Sequence, residues 1–197
     1  LADTGTNTIA FAVTNQGVTA VTALGNTGVT ANTVAVTDAS DALGVAAGTI
    51  TDVTAHNYTT LAVDSNALTN LTVLGGSGNI TIGNALTGNT AKTLNLSVDG
   101  VTGGTLDDAD VYTTLNVATK YTGASTTTSS TLANVTSTSV DDLNVSGDKV
   151  LILSSTAGMT GLINVDVNGT AGLSGAFAAT TMKTIDTSGT TGKATIT

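Results

Sequence analysis

The sequence predicts an all-β protein, a β-solenoid-like stack of short strands. Three observations lead there: segments in which apolar and polar residues alternate, a composition that favours strands and turns over helices, and a looser repeat about one coil long.

The alternation recurs along the whole chain, at residues 8–13, 60–63, 70–73, 79–82, 93–98, 114–117, 142–145, 164–167 and 195–197. Thr93-Leu-Asn-Leu-Ser-Val98 shows the form well. A period of two sends Leu, Ile and Val to one face and Thr or Asn to the other. Each segment is three to six residues long, near the usual strand length. Gly, Asn, Asp and Ser lie between them, as strand boundaries require.

Composition supports the same reading. Thr and Ser account for 58 of the 197 residues and Gly for 23, while Pro, Cys, Trp, Arg and Glu are absent. Without Glu and Arg, and with five Lys, most strong polar helix formers are missing. All 14 acids are Asp, which suits turns because its short carboxylate bonds nearby backbone. Thr, Val and Ile are stiff at χ1 and fit a pleated sheet. A hydrophobic fraction of 40 % excludes a disordered chain.

The longer repeat reads Thr/Asp-Leu-Asn-Val/Leu, anchored at Leu71, Leu94, Leu115, Leu143, Ile163 and Ile185. The gaps are 23, 21, 28, 20 and 22 residues, and a gap near 21 suits one solenoid coil. The gap of 28 holds a Ser/Thr run at 125–131, expected to be an inserted surface loop. A β-sandwich is the alternative, since regular short strands fit it too. Its core normally needs large aromatics, and only three Tyr and two Phe occur. Residues 1–58 follow the repeat poorly and are richer in Ala, which suggests an N-terminal β subdomain or atypical coil. A helical turn capped by Asp38 is expected at 38–47. Residues 59–197 form the repetitive solenoid-like domain.

Several function classes are disfavoured. The net charge of −9 does not suit nucleic acid. No apolar run reaches membrane-spanning length, and aromatic girdles are lacking. His56 is the one histidine, read as a turn residue beside Asn57, and there is no cysteine, so neither a zinc site nor a thiol nucleophile is expected. No Gly-x-Ser-x-Gly elbow or phosphate loop occurs, and no enzymatic activity is expected. The chain starts at Leu1, as expected of a processed product or a piece of a longer protein.

The carboxylates read better as calcium ligands, because calcium takes six to eight hard oxygens from Asp, Asn, carbonyls and water. Asp107, Asp108 and Asp110 form one candidate cluster, and Asp141, Asp142 and Asp148 another. Asp38 with Asp41 is a third, while Asp99, Asp166 and Asp186 sit where they could close sites between coils.

The stretch Met182-Lys-Thr-Ile-Asp-Thr-Ser-Gly-Thr-Thr-Gly-Lys-Ala-Thr-Ile-Thr197 resembles a phrase of bacterial surface-layer proteins and giant adhesins allied to type I-secreted repeats-in-toxin proteins. Thr93-Leu-Asn-Leu-Ser-Val-Asp-Gly100 and Asp141-Asp-Leu-Asn-Val-Ser-Gly147 are similar to it, and the nonapeptide calcium tract of that family is missing. The resemblance implies type I secretion, β-solenoid domains, calcium-dependent folding and a lattice of identical subunits. The expectation is therefore a self-assembling structural protein of the extracellular cell surface, with cell-surface polysaccharide as a further partner. An adhesin stalk or biofilm filament with a binding role is the alternative. Ice binding is the remote one, since Thr-x-Thr pairs exist but do not recur at the coil spacing.

Overall fold

A computed structural model describes residues 6–13, 19–24, 31–38, 48–83, 92–120 and 128–197. Among the described residues, seventeen strands, numbered in chain order, alternate between two parallel sheets. The odd sheet holds β1 (Thr6–Val13), β3 (Ala31–Asp38), β5 (Thr60–Asp64), β7 (Asn79–Ile82), β9 (Thr105–Asp107), β11 (Ser129–Thr136), β13 (Val150–Ser155), β15 (Gly172–Gly175) and β17 (Ala194–Ile196), adjacent in that order. The even sheet holds β2 (Ala20–Leu24), β4 (Asp52–His56), β6 (Asn70–Leu74), β8 (Thr93–Asp99), β10 (Thr114–Thr119), β12 (Asp142–Gly147), β14 (Asn164–Val167) and β16 (Thr184–Asp186). Each coil thus gives one strand to each sheet, and the expected β-solenoid is the architecture found. The sandwich alternative falls, because its sheets would be antiparallel.

Alternation explains why the sheets face each other. In β10 the inward Leu115 and Val117 are buried while Thr114 and Asn116 point outward. Parallel sheets usually read as unbroken apolar runs because helices cover their outer faces. Here short turns replace the helices, so one face stays at the surface and period two persists. The inward residues form columns such as Leu94, Leu115, Leu143 and Val165, paired strand to strand and 0–2 % exposed.

Register corrects the repeat in two places. Leu71 pairs with Leu96, 25 residues on, and not with Leu94. The inward partner of Leu143 is Val165, not Ile163, which lies just before β14 and is only partly buried. The Ser/Thr run is a second correction. Ser129, Ser130 and Thr131 open β11, with Ser130 buried, so they belong to a strand and not to a loop. Residues 125–127 lie outside the described residues.

β11 also changes phase. Ser130 and Leu132 face inward, then Val135 does, so Ala133 and Asn134 are two successive outward residues, as at a β-bulge. β13 makes the same step, from Leu151 and Leu153 to Thr156. Pairing resumes at Asn134 with Ser155, so matched shifts keep the two strands in register.

β3 pairs with β5 and β4 with β6, so both sheets run on through residue 58. The expected helical turn at 38–47 falls, from residue 39, outside the described residues. Asp38 itself ends β3, and its carboxylate accepts from the backbone N–H of Thr49 (2.6 Å) and Ile50 (2.8 Å).

Among the described residues, Tyr58 and Tyr112 are the largest fully buried side chains, and they lie in the turns between the sheets. Tyr112 donates its hydroxyl to the carbonyl of Leu68 at 2.8 Å. Tyr58 packs against Gly76, where a Cβ would meet its ring at 2.4 Å and where φ is +109°. Only glycine accepts both demands. Burial raises the phenol pKa of both tyrosines, and in Tyr112 the Asp108 carboxylate adds to the effect.

Candidate functional site

The acidic candidates separate once placed on strands. Asp107 ends β9 and pairs with Thr81, so it faces outward. The next residue, Asp108, must then face inward, and it is buried. Its carboxylate accepts the hydroxyl of Ser137 at 2.9 Å and the N–H of Asp110 at 3.1 Å. Burial pushes its pKa up to about 6, against the opposing pull of those two bonds; the nearby Asp110 and Asp107 charges add to the rise. Ala109 and Asp110 both adopt positive φ, 56° and 59°, which turns the chain sharply there. Asp110 accepts the N–H of Thr138 at 2.5 Å. Asp107 and Asp110 line one open cavity of about 380 Å³ with Thr81, Ile82, Gly83 and Thr136. Asp108 does not join them.

The second cluster does not form. Asp142 begins β12 and Asp148 follows its end, and six residues of strand span about 20 Å. Asp142 accepts from the Asn164 amide at 2.8 Å. Asp141 contributes its backbone instead, its carbonyl accepting from the N–H groups of Ile163 and Asn164. Of the third pair, Asp38 is occupied by backbone and Asp41 lies outside the described residues. Among the described residues, no three His, Cys, Asp or Glu side chains are grouped to hold a metal ion.

Asp99 departs most from expectation. It is fully buried and pairs with Lys149, whose Nζ lies 3.1 Å away and whose side chain is 7 % exposed. The lysine is also held by its backbone, as Thr119 donates its hydroxyl to the Lys149 carbonyl at 2.6 Å. This pair links residues 50 positions apart across the stack.

The even sheet's outer face carries a feature that sequence reasoning missed. Asp52, Asn70, Asn95, Asn116 and Asn144 are successive register partners. Each Asn donates its amide to the preceding coil: Asn70 to Asp52 (2.8 Å), Asn95 to Asn70 (2.9 Å), Asn116 to Asn95 (2.8 Å) and Asn144 to Asn116 (2.8 Å). The row continues to Asp166 and Asp186, where the ladder stops. A carboxylate has no proton to give to the Asn144 carbonyl oxygen. Asp166 instead accepts from Asn168, and Ser188, through its hydroxyl and then its N–H, lowers the pKa of Asp186. The signal is the repeated Leu-Asn-Val/Leu phrase, in which period two marks Asn only as the polar half of the alternation.

Beside the ladder runs a rank of small residues, Thr54, Thr72, Ser97, Ala118 and Ser146. Ladder and rank together floor a shallow groove of about 310 Å³, reached by Lys120. Asn70 also donates to the Thr69 hydroxyl at 3.2 Å, whereas Asn95, Asn116 and Asn144 each use one N–H within the ladder, which leaves the second for an outside acceptor. His56, expected as a turn residue, is instead the last residue of β4, paired with Leu24 and Leu74, and the turn begins at Asn57 with φ 50°. Among the described residues, no helix is long and apolar enough to cross a membrane. No family model, curated protein or solved structure matches the chain.

Proposed function

We propose that the chain is a self-assembling structural protein of an extracellular bacterial surface layer. One observation carries this reading: the even sheet presents a regularly spaced outer row of small side chains joined from coil to coil by an amide ladder. Such a face is stiff and offers the same chemistry at each coil, so weak contacts multiply between identical copies. The reading also draws on the phrase-level resemblance of residues 182–197 to type I-secreted surface proteins.

Calcium enters this proposal as a stabiliser between coils. Asp107 and Asp110 share their cavity with the hydroxyl-bearing Thr81 and Thr136, which are hard oxygen donors of the kind calcium takes. Electron microscopy with and without calcium tests the whole reading. Ordered sheets that loosen under chelator, with a lower melting temperature, are expected. Sheets that form unchanged in chelator would remove calcium and leave the structural role. A protein that never assembles would remove the role itself.

The second reading is an adhesin stalk or biofilm filament, favoured by the groove along Asn70, Asn95, Asn116 and Lys120. Amides and an ammonium suit the hydroxyls and acids of a surface polysaccharide. Binding of such a glycan by a monomer that forms no lattice would favour it. Ice binding fits less well, since the outer rank changes from Thr to Ser and Ala after Thr72, and thermal hysteresis would reinstate it.

A further inference from the structure

We propose that two copies of this chain pair through the outer faces of their even sheets, related by a two-fold axis that runs along the stack. The inference rests on the self-assembly reading above and names the surface and the arrangement that reading needs.

The middle of that face is built from two unlike rows. Asn70, Asn95, Asn116 and Asn144 form the ladder, and two positions further along each strand stand Thr72, Ser97, Ala118 and Ser146. Two residues of strand set the rows about 7 Å apart. One row is longer and tipped with amides, the other mostly shorter, so a ridge runs beside a furrow. The furrow is the groove over Asn95, Ser97, Asn116 and Ala118.

This shape complements itself in one way. A two-fold axis along the stack exchanges the rows, so the ridge of one copy lies over the furrow of the other, coil against coil. A two-fold axis along the strands would set ridge on ridge and hold the sheets apart. Close packing at an interface core therefore selects the first arrangement. It also keeps the strands of the facing sheets nearly aligned, as twisted sheets pack.

The chemistry fits the same arrangement. The second N–H of Asn95 comes over Ser97 of the other copy, and that of Asn144 over Ser146, where hydroxyl oxygens accept. Both copies repeat at the strand spacing, so a match at one coil carries to the next. No charged residue stands in either row between residues 70 and 146. At the rims, Lys92 and Asp142 border the ladder side while Lys120 and Asp148 follow the strands on the other side, so both rims carry both signs. Neither rim repels the other as a whole.

The face is also large enough. Eight described strands at about 4.8 Å spacing and about 17 Å long give roughly 650 Å² per copy. The pair then covers about 1,300 Å², within the range of specific interfaces. The contact is isologous and closes on itself, so it makes a pair of stacks, the unit that a layer repeats.

The test uses the 197-residue chain, which has no cysteine, so that single thiols can be placed at will. Thr72→Cys and Ser146→Cys lie three coils apart on the same row. A short bismaleimide should join Thr72→Cys chains to one another and Ser146→Cys chains to one another, and should not join one to the other. Cross-links only in the mixture would mean stacks running in opposite directions and would overturn the arrangement. Ala118→Arg fills the furrow from an outward position, and should weaken pairing in sedimentation velocity by about tenfold or more while keeping its β-type circular dichroism. Ordered arrays in electron microscopy that Ala118→Arg leaves intact would overturn the face pairing and leave self-assembly standing. A chain that stays single at all concentrations, with and without calcium, would overturn both. A single chain that binds polygalacturonate, and loses it in Ala118→Arg, would overturn the pairing and give the groove to a glycan.

Discussion

The middle of the stack and its last coil share a sequence pattern but differ in what protects it. In β12, Leu143 and Val145 are 0–1 % exposed, with β10 and β14 on either side. In β16 the same pattern, Thr184-Ile185-Asp186, leaves Ile185 partly exposed, with β14 on one side only. The polar groups differ in parallel. Those in the middle are occupied by neighbouring coils, as Asn116 is by Asn95 and Asn144, whereas Asp186 turns to its own chain at Ser188. Stability here is a property of stacking, and each strand's share depends on having two neighbours.

The largest expected effect lies in the interior ion pair. Lys149→Met leaves the Asp99 carboxylate buried without its cation, which should cost about 3–5 kcal/mol in urea unfolding. Replacing both residues, as Asp99→Leu with Lys149→Met, should recover most of that loss. A single variant of near wild-type stability would show that the interior tolerates what only an end should tolerate.

Truncation compares the two regions directly. Leu143→Ala should cost about 2–5 kcal/mol, because β10 and β14 fix the cavity walls. Ile185→Ala should cost about 1 kcal/mol or less, since water already reaches that site. Equal losses would mean that the last coil is covered in solution, which an assembled protein would show and a single stack would not.

Acid sharpens the comparison at Asp108. The folded chain holds that proton up to about pH 6, well above the usual Asp value of about 3.9. Between those values the folded state binds more protons than the unfolded one, so stability falls as pH rises through the window. The change should be of the order of 1–2 kcal/mol. Melting temperatures at pH 4 and pH 7 should differ less in Asp108→Asn than in the wild type, once other carboxylates are taken as common to both. A slope that is the same in the variant would assign the effect elsewhere.

The smallest effect belongs to the outer ladder. Asn116→Ala removes two amide hydrogen bonds, each worth about 0.5 kcal/mol at a wet surface. A loss near 1 kcal/mol in the same unfolding assay is expected, and none would mean that water replaces the ladder fully.

Much of the fold was legible because alternation is a local property. Thr114-Leu-Asn-Val117 and Asp142-Leu-Asn-Val145 announce their inward and outward residues without reference to any neighbour. Partners were harder to read. The Leu-Ile-Asn-Val run at 162–165 offers two apolar anchors, and only pairing with β12 selects Val165 over Ile163. The spacing of the acidic candidates was hidden for a related reason. Adjacent Asp107 and Asp108 look like one ligand pair in sequence, yet a strand sends them to opposite faces. Asp141, Asp142 and Asp148 look clustered over eight positions, yet an extended chain carries Asp148 far from the others.

By itself, the sequence determined that the chain would make short strands with one apolar face, since side-chain stiffness and period two depend only on residue type and order. Tertiary structure alone decided which strands became neighbours, and with that the buried Asp99–Lys149 pair and the amide ladder. These arise between residues about 20 or more positions apart, where the lengths of the intervening turns set the register and no local pattern records them.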